Sequence, residues 1–442
     1  MTILKQRNVI KLLSILALFI FLQSCATYRI QKAQRSVRQS FAAGDYEKTV
    51  ELLNHFGNNK TYKKKDKVLF LLEKGTAYHF AGQYDSSFTA YENAEKEIQR
   101  LFSKSISRGI ASFMVNDNIL AYNGEDYENI YLNTFKSLNF IHQNNLGKAL
   151  VEAKRMAYKL QSLNIKYQGL VRALSKADTT NQVSWRSGKT NIQNSALGHF
   201  LSGIIYAKSN HPDDARIEYE QMLKAFTDQS VLYPNILLAN NPLASMKRSD
   251  AYNTALISFT GRAPVKYEVN TRIYLAQEDF YLKLALPVLK IIPSEVYSVQ
   301  AVLDDTLHMP LYMIENMDQV AAEVYKVKEP IIYARSFVRA FLKASGTVYA
   351  KNKLRKEGKR ILSGLVNLFG KIATESTEKA DLRSWQTMPG QVYANLLQLS
   401  PGTHKLHIEY YSYNGRLLFE DHKEITISEH NTLELAESLY WN

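Results

Sequence analysis

Apolar positions recur at helical spacing from residue 30 to about residue 230 and alternate at strand spacing in several stretches after about residue 251. Four stretches of the first half share one pattern. In the clearest, Gly75-Thr76-Ala77-Tyr78 is followed by Gly82-Gln83-Tyr84, then by Tyr91 and Ala94. A small residue admits a close partner helix, aromatic side chains fill the groove between the pair, and the Gly-x-Tyr turn reverses the chain. Gly44-Asp45-Tyr46 leads into Val50 and Leu53. Asn145-Leu146-Gly147 leads into Ala153, Met156 and Ala157. Gly203, Tyr206, Ala215 and Tyr219 make the fourth copy. Residues 25–240 are therefore expected to form a helical domain of stacked hairpins with a concave, partner-binding face.

The character changes in residues 251–442. Ala255–Phe259, Ile273–Leu275 and Val296–Val302 read as strands. A helical tract follows from about Met317 to Glu378. In it Arg335, Arg339 and Lys343 recur every four residues on one face. Such a stripe is the solvated side of an amphipathic helix or a grip for an anion. Ile361–Gly370 is strongly apolar but too short and interrupted to span a bilayer, so burial is expected. Thr403–Tyr411, the Asn414-Gly415 turn, Arg416–Phe419 and Glu424–Ser428 complete an expected antiparallel β-sandwich. The class is α+β.

Residues 1–24 read as a secretory signal: basic Lys5, Arg7 and Lys11, then an apolar run from Leu12 to Leu22. Leu22-Gln23-Ser24-Cys25 resembles the lipobox of bacterial lipoproteins. That resemblance implies lipid on Cys25, the chain's single cysteine, and attachment to a membrane through acyl chains. A non-cleaved anchor is the alternative. No Asp follows Cys25, which is similar to lipoproteins sent to the outer membrane. Together with the missing acidic run, it implies a periplasm-facing protein.

The formal charge of +13 falls to +10 once those three cations leave with the signal. An exported chain rarely meets nucleic acid, so no nucleic-acid partner is expected. Anionic headgroups and acidic glycans suit the excess better. The densest cluster, Lys60–Lys67, reads as a loop between helices.

No catalytic motif, cofactor loop or metal signature is found. His404 and His407 are three apart, which on a strand points them to opposite faces. Asn116-Asp117-Asn118 precedes Tyr122-Asn123-Gly124-Glu125-Asp126-Tyr127-Glu128. These acids suit the first turn of a helix, or a polar binding surface of Asp117, Glu125, Asp126 and Glu128. In Asp381-Leu382-Arg383-Ser384-Trp385, an Asp381–Arg383 pair is expected to fix the chain so that Trp385 packs a junction. A groove lined by Asp381, Arg383 and Trp385 for a sugar or peptide is the alternative.

The spacing of the helical copies resembles the tetratricopeptide repeat; an unrelated bundle is the alternative. The lipobox, the two acidic clusters, Gly261–Lys266, Ala334-Arg335 with Arg339-Ala340, and above all Lys379–Trp385 with Met388-Pro389 together resemble a bacterial family of uncharacterised tetratricopeptide-like lipoproteins. Members are often encoded near lipoproteins similar to activators of penicillin-binding proteins, which implies a place in envelope assembly. The expected function is a non-enzymatic scaffold for envelope proteins, a peptidoglycan synthase or its activator among them. The alternative is a glycan-binding or glycan-processing protein centred on Glu125, Asp126, Asp381 and Arg383.

Overall fold

The structure, a computed structural model, describes residues 32–108, 117–177, 184–190, 192, 194–230, 232–233, 242–275, 280–344, 379–429 and 433–442. Cys25 and the tract Ile361–Gly370 lie outside the described residues. Five of the described helices end on a shared device. At Gly44, Lys60, Gly82, Asn144 and Asn210 the backbone turns left-handed, with φ between 52° and 73°. The next N–H then reaches back five residues: Asp45 to Ser40, Thr61 to Phe56, Gln83 to Tyr78, Asn145 to Phe140 and His211 to Tyr206. This closure satisfies carbonyls that a helix end leaves open, and Gly or Asn adopts it most readily.

Four of these turns make helical hairpins, at the four stretches with matching sequence. A helix over 32–42 (α1) pairs with α2 (Tyr46–Asn58), α3 (Lys67–Phe80) with α4 (Tyr84–Arg108), α5 (Asp126–His142) with α6 (Leu146–Ala177), and α7 (Ala196–Lys208) with α8 (Pro212–Asp228). A Cβ on Gly75 would lie 2.6 Å from the Tyr91 ring, so α3 and α4 approach this closely only because Gly75 has none.

The rest of the chain runs β1 (Thr254–Thr260), β2 (Val265–Leu275), β3 (Phe280–Lys290), β4 (Ser298–Leu303), β5 (Leu307–Glu315), α9 (Met317–Ala344), β6 (Gln391–Leu397), β7 (Gly402–Tyr411), β8 (Leu417–Ile427) and β9 (Glu434–Tyr440). In place of a separate C-terminal sandwich, the late strands join the early ones in one seven-stranded sheet, ordered β8-β7-β4-β5-β6-β1-β9. β1 and β9 run parallel and the other neighbours antiparallel, while β2 and β3 form a separate ribbon. The sheet curls until its edges meet. Phe419 of β8 stacks on Tyr440 of β9 at 5.0 Å, and Ser438 donates to Asp421 at 2.7 Å. Leu256, Val299, Leu311, Tyr393, Leu406 and Ile408 fill the inside of this near-barrel.

The outer face of the central strands lies against the helices. Ala255, Ile257 and Phe259 of β1 join the helical core, and Phe259 meets Phe80 at 5.9 Å and Phe135 at 5.5 Å. Being buried on both faces, β1 reads as a continuous apolar run. Contacts of α3, α5 and α7 with the sheet put the first helix of each of those hairpins inward. The side of the array expected to receive a partner is therefore filled by the chain's own sheet. A bulge between Met313 and Glu315 turns Glu315 into this interface, where Tyr131 donates at 2.7 Å and the Leu197 N–H at 2.9 Å.

The innermost helix, α5, is buried at every position from Asp126 to Ile141 except Asn129. Most of its polar side chains are paired, as burial requires, the Tyr127 hydroxyl being an exception. Lys136 meets Glu92 and Glu95 at 2.8 Å and Glu152 at 3.1 Å. No described helix is long and apolar enough to cross a membrane.

Candidate functional site

Asp117, Glu125, Arg335, Arg339 and Asp381, far apart in sequence, line one pocket of about 120 Å³. It is bounded by α4, the loop 117–125, β3, α9 and the start of the 380–390 segment. Gly124, at φ 72°, turns the chain so that Glu125 caps α5. The Glu128 side chain accepts from the Glu125 N–H at 2.9 Å, the second half of a capping box. The helical spacing on α9 brings Lys328, Arg335 and Arg339 to the pocket together.

The acids are engaged. Glu125 accepts from Lys266 of β2 at 2.6 Å and Lys328 of α9 at 2.9 Å. Asp126 lies outside the pocket lining and pairs with Lys166 and, at 2.5 Å, the Tyr167 hydroxyl. Burial alone would raise both carboxyls, but the lysines beside them hold both below the usual range. Buried and held as carboxylates, they do not form the cleft-flanking acid–base pair that glycan cleavage needs.

The basic stripe on α9 is not a solvated face. Arg339 is 2% exposed and lies 3.3 Å from Asp117. Burial lowers the Arg335 guanidinium against the opposing charge of Asp117.

Asp381 and Arg383 act as a clamp. Arg383 donates to Asp66 at 2.9 Å and to the carbonyls of Lys65, Asp117 and Leu120 at 3.0–3.1 Å. Its plane lies 5.2 Å from the Tyr122 ring centre. One side chain thus joins three chain segments. Trp385 follows into the core. Its N–H donates to Glu128 at 2.6 Å and its indole to Thr76 at 2.8 Å. Its ring meets Tyr91 and Phe135 edge-on at 5.6 and 5.8 Å. Burial and the charge of Glu125 push the Glu128 carboxyl up to about 7. The groove reading of Trp385 does not hold, because its side chain is enclosed. Lys266, Lys328, Lys166 and Asp66 complete these ties; Lys266 and Asp66 fall in runs singled out in the sequence for other reasons, and no local pattern marked Lys328 or Lys166.

A second constellation lies in a groove of about 560 Å³ between the ends of the first hairpins and the β8–β9 seam. Glu437 sits between His79 at 3.1 Å and His142 at 2.5 Å. The other His79 nitrogen is 2.7 Å from the Asn139 oxygen, and Asn139 donates its amide to Ser87 at 2.9 Å. Both ring nitrogens of His79 therefore face acceptors, the arrangement of an imidazolium. Burial opposes that charge, but Glu437 and Asn139 raise the His79 pKa above its ordinary value. Tyr46, Tyr84 and Asp421 line the same groove. These residues lie far apart in the sequence in ordinary helix and strand contexts. No protein-family model and no curated protein sequence matches the chain.

Proposed function

We propose that this protein is a lipid-anchored, periplasm-facing outer-membrane scaffold in envelope assembly, built on divergent tetratricopeptide-like hairpins. One observation carries the reading. Val151, Tyr158 and Ile165 recur every seven residues on α6 and are 52%, 70% and 68% exposed. Seven-residue spacing aligns these three apolar side chains in one exposed row along the helix, with one apolar position per heptad where a coiled-coil seam has two. With the inner side of the array filled by the sheet, the outer face is the surface left for docking. Asp126, paired with Lys166 and the Tyr167 hydroxyl, ties α6 to α5 beneath that surface. Lipid on Cys25 would hold it at the membrane and raise the local concentration of a bound partner.

The test is in-cell crosslinking and purification from membranes, comparing the parent with Tyr158→Asp/Ile165→Asp and with Cys25→Ala. Recovery of a peptidoglycan synthase or its activator, lost in both variants, supports the scaffold. Equal recovery from the Tyr158→Asp/Ile165→Asp variant rejects this docking face.

A glycan-binding reading is favoured by the seam groove alone, where the rings of Tyr46 and Tyr84 stand beside Asp421 and Glu437. Titration with soluble wall fragments, lost in Tyr84→Ala, is its test.

A further inference from the structure

The outward face of the β7–β8 hairpin carries a cluster apart from the pocket and the groove. Leu406, Ile408 and Tyr410 face the inside of the near-barrel, so His407 points out. The antiparallel register sets His407 directly opposite His422, with ring centres 4.3 Å apart. Glu420 precedes His422 by two residues and shares its face.

We propose that His407, Glu420 and His422 bind one divalent transition-metal ion of the zinc class. His407 Nδ1 and His422 Nε2 converge on the same oxygen, Glu420 Oε1, at 3.3 and 3.4 Å. One ligand atom from each residue lies within 4.8 Å of the others. The two imidazole–carboxylate separations exceed the ~2.7–2.9 Å of a charge-assisted hydrogen bond. They match the ~3.4 Å edge of a tetrahedron whose metal–ligand bonds are ~2.0–2.2 Å.

A further carboxylate lies behind His407. Its other nitrogen, Nε2, is 3.6 Å from Asp305 Oδ1, beyond hydrogen-bond distance, so Asp305 adds negative charge beside the ring without fixing its tautomer. Asp305 is held there by the turn between β4 and β5, where its backbone is left-handed at φ 58°. Two imidazoles and one carboxylate suit zinc or copper, whereas calcium and magnesium take oxygen ligands. His422 is 61% exposed, so the fourth position opens to water or to a donor from another molecule.

The test uses the full chain in detergent without a histidine tag, stripped with chelator and titrated calorimetrically with zinc chloride in millimolar magnesium. The expected result is one zinc per chain at micromolar affinity or tighter. His407→Gln and His422→Gln should each weaken binding at least tenfold, and Asp305→Asn less than either, its carboxylate lying beyond hydrogen-bond reach of His407. Cobalt should give the intense visible bands of a four-coordinate site, absent in the double histidine variant. Glu420→Gln gives the same reading should a histidine variant lose its thermal transition. Substoichiometric zinc, or unchanged affinity in the folded His407→Gln/His422→Gln variant, overturns the site.

Discussion

Arg383 grips Asp381 through two parallel bonds, its Nε and Nη2 lying 2.8 and 2.7 Å from separate carboxylate oxygens. The remaining donors close on Asp66 and on carbonyls of two other segments. Breaking such a pair costs about 3–5 kcal/mol because the abandoned charge stays buried. Arg383→Ala should lower the unfolding free energy by that amount in urea titrations. Arg383→Lys should recover little, since an ammonium lacks the planar fork. A lysine variant as stable as the parent would remove the fork from the explanation.

Trp385 contributes both area and a donor. Trp385→Phe keeps most of the ring but removes the indole N–H that reaches Thr76. A loss of about 1–3 kcal/mol is expected for the lost hydrogen bond and the smaller ring, since Thr76 keeps its bonds to Tyr91 and the Leu72 carbonyl, and about 3–5 kcal/mol for Trp385→Ala. Thermal unfolding of the two variants separates these effects. Equal losses would mean that the aromatic ring adds nothing.

Two glycines should answer differently to alanine. At Gly75 the new Cβ meets the Tyr91 ring at 2.6 Å, and that ring is held by Thr76 and lies against Trp385. At Gly203 it meets the terminal methyl of Met246, at 2.0 Å. A methionine end can swing aside, whereas a packed ring cannot. Gly75→Ala should therefore cost about 1–3 kcal/mol, and Gly203→Ala less. Comparing the two denaturation midpoints checks the order, and the reverse order would refute it.

Glu73 sets a pH dependence of stability. It is buried beside the Tyr62 hydroxyl, and burial pushes its carboxyl up to about 7. The folded state keeps a proton that the unfolded chain releases near pH ~4.3. The stabilisation is complete below that value and is lost as pH rises through 7. Glu73→Gln cannot titrate, so its stability relative to the parent should rise by up to about 3 kcal/mol between pH 4.5 and 8. A constant difference across this range would show that Glu73 titrates normally.

The helical hairpins were legible because their signals are local. Gly44 and Gly82 sit at the left-handed turns, and the apolar spacing around them spans only a few residues. Asn144 and Asn210 do the same work without glycine. Asp117, Glu125, Arg335, Arg339 and Asp381 stood out singly as charges in unusual contexts. Their meeting did not, since Arg339 reaches Asp117 across 222 positions. Lys266 and Lys328 look like any surface lysine until the fold buries Glu125 between them.

The late strands show the same division. Alternation in Thr403–Tyr411 revealed which side chains share a face, so His404 and His407 were correctly separated. The ladder on either side of Asn414-Gly415 then decided that His407 faces His422. The sequence by itself determined the turns of the helical hairpins, the Asn414-Gly415 turn and the faces of β7, because each depends on a few neighbouring residues, whereas Arg416–Phe419 and Glu424–Ser428, read as two strands, are one continuous β8. The tertiary structure alone decided that β1 lies between β6 and β9, that the sheet fills the inner side of the helical array, and that Arg383 reaches Asp66, Asp117 and Leu120. Those outcomes depend on burying apolar surface while pairing most of the enclosed polar groups, a condition that only the whole chain can meet.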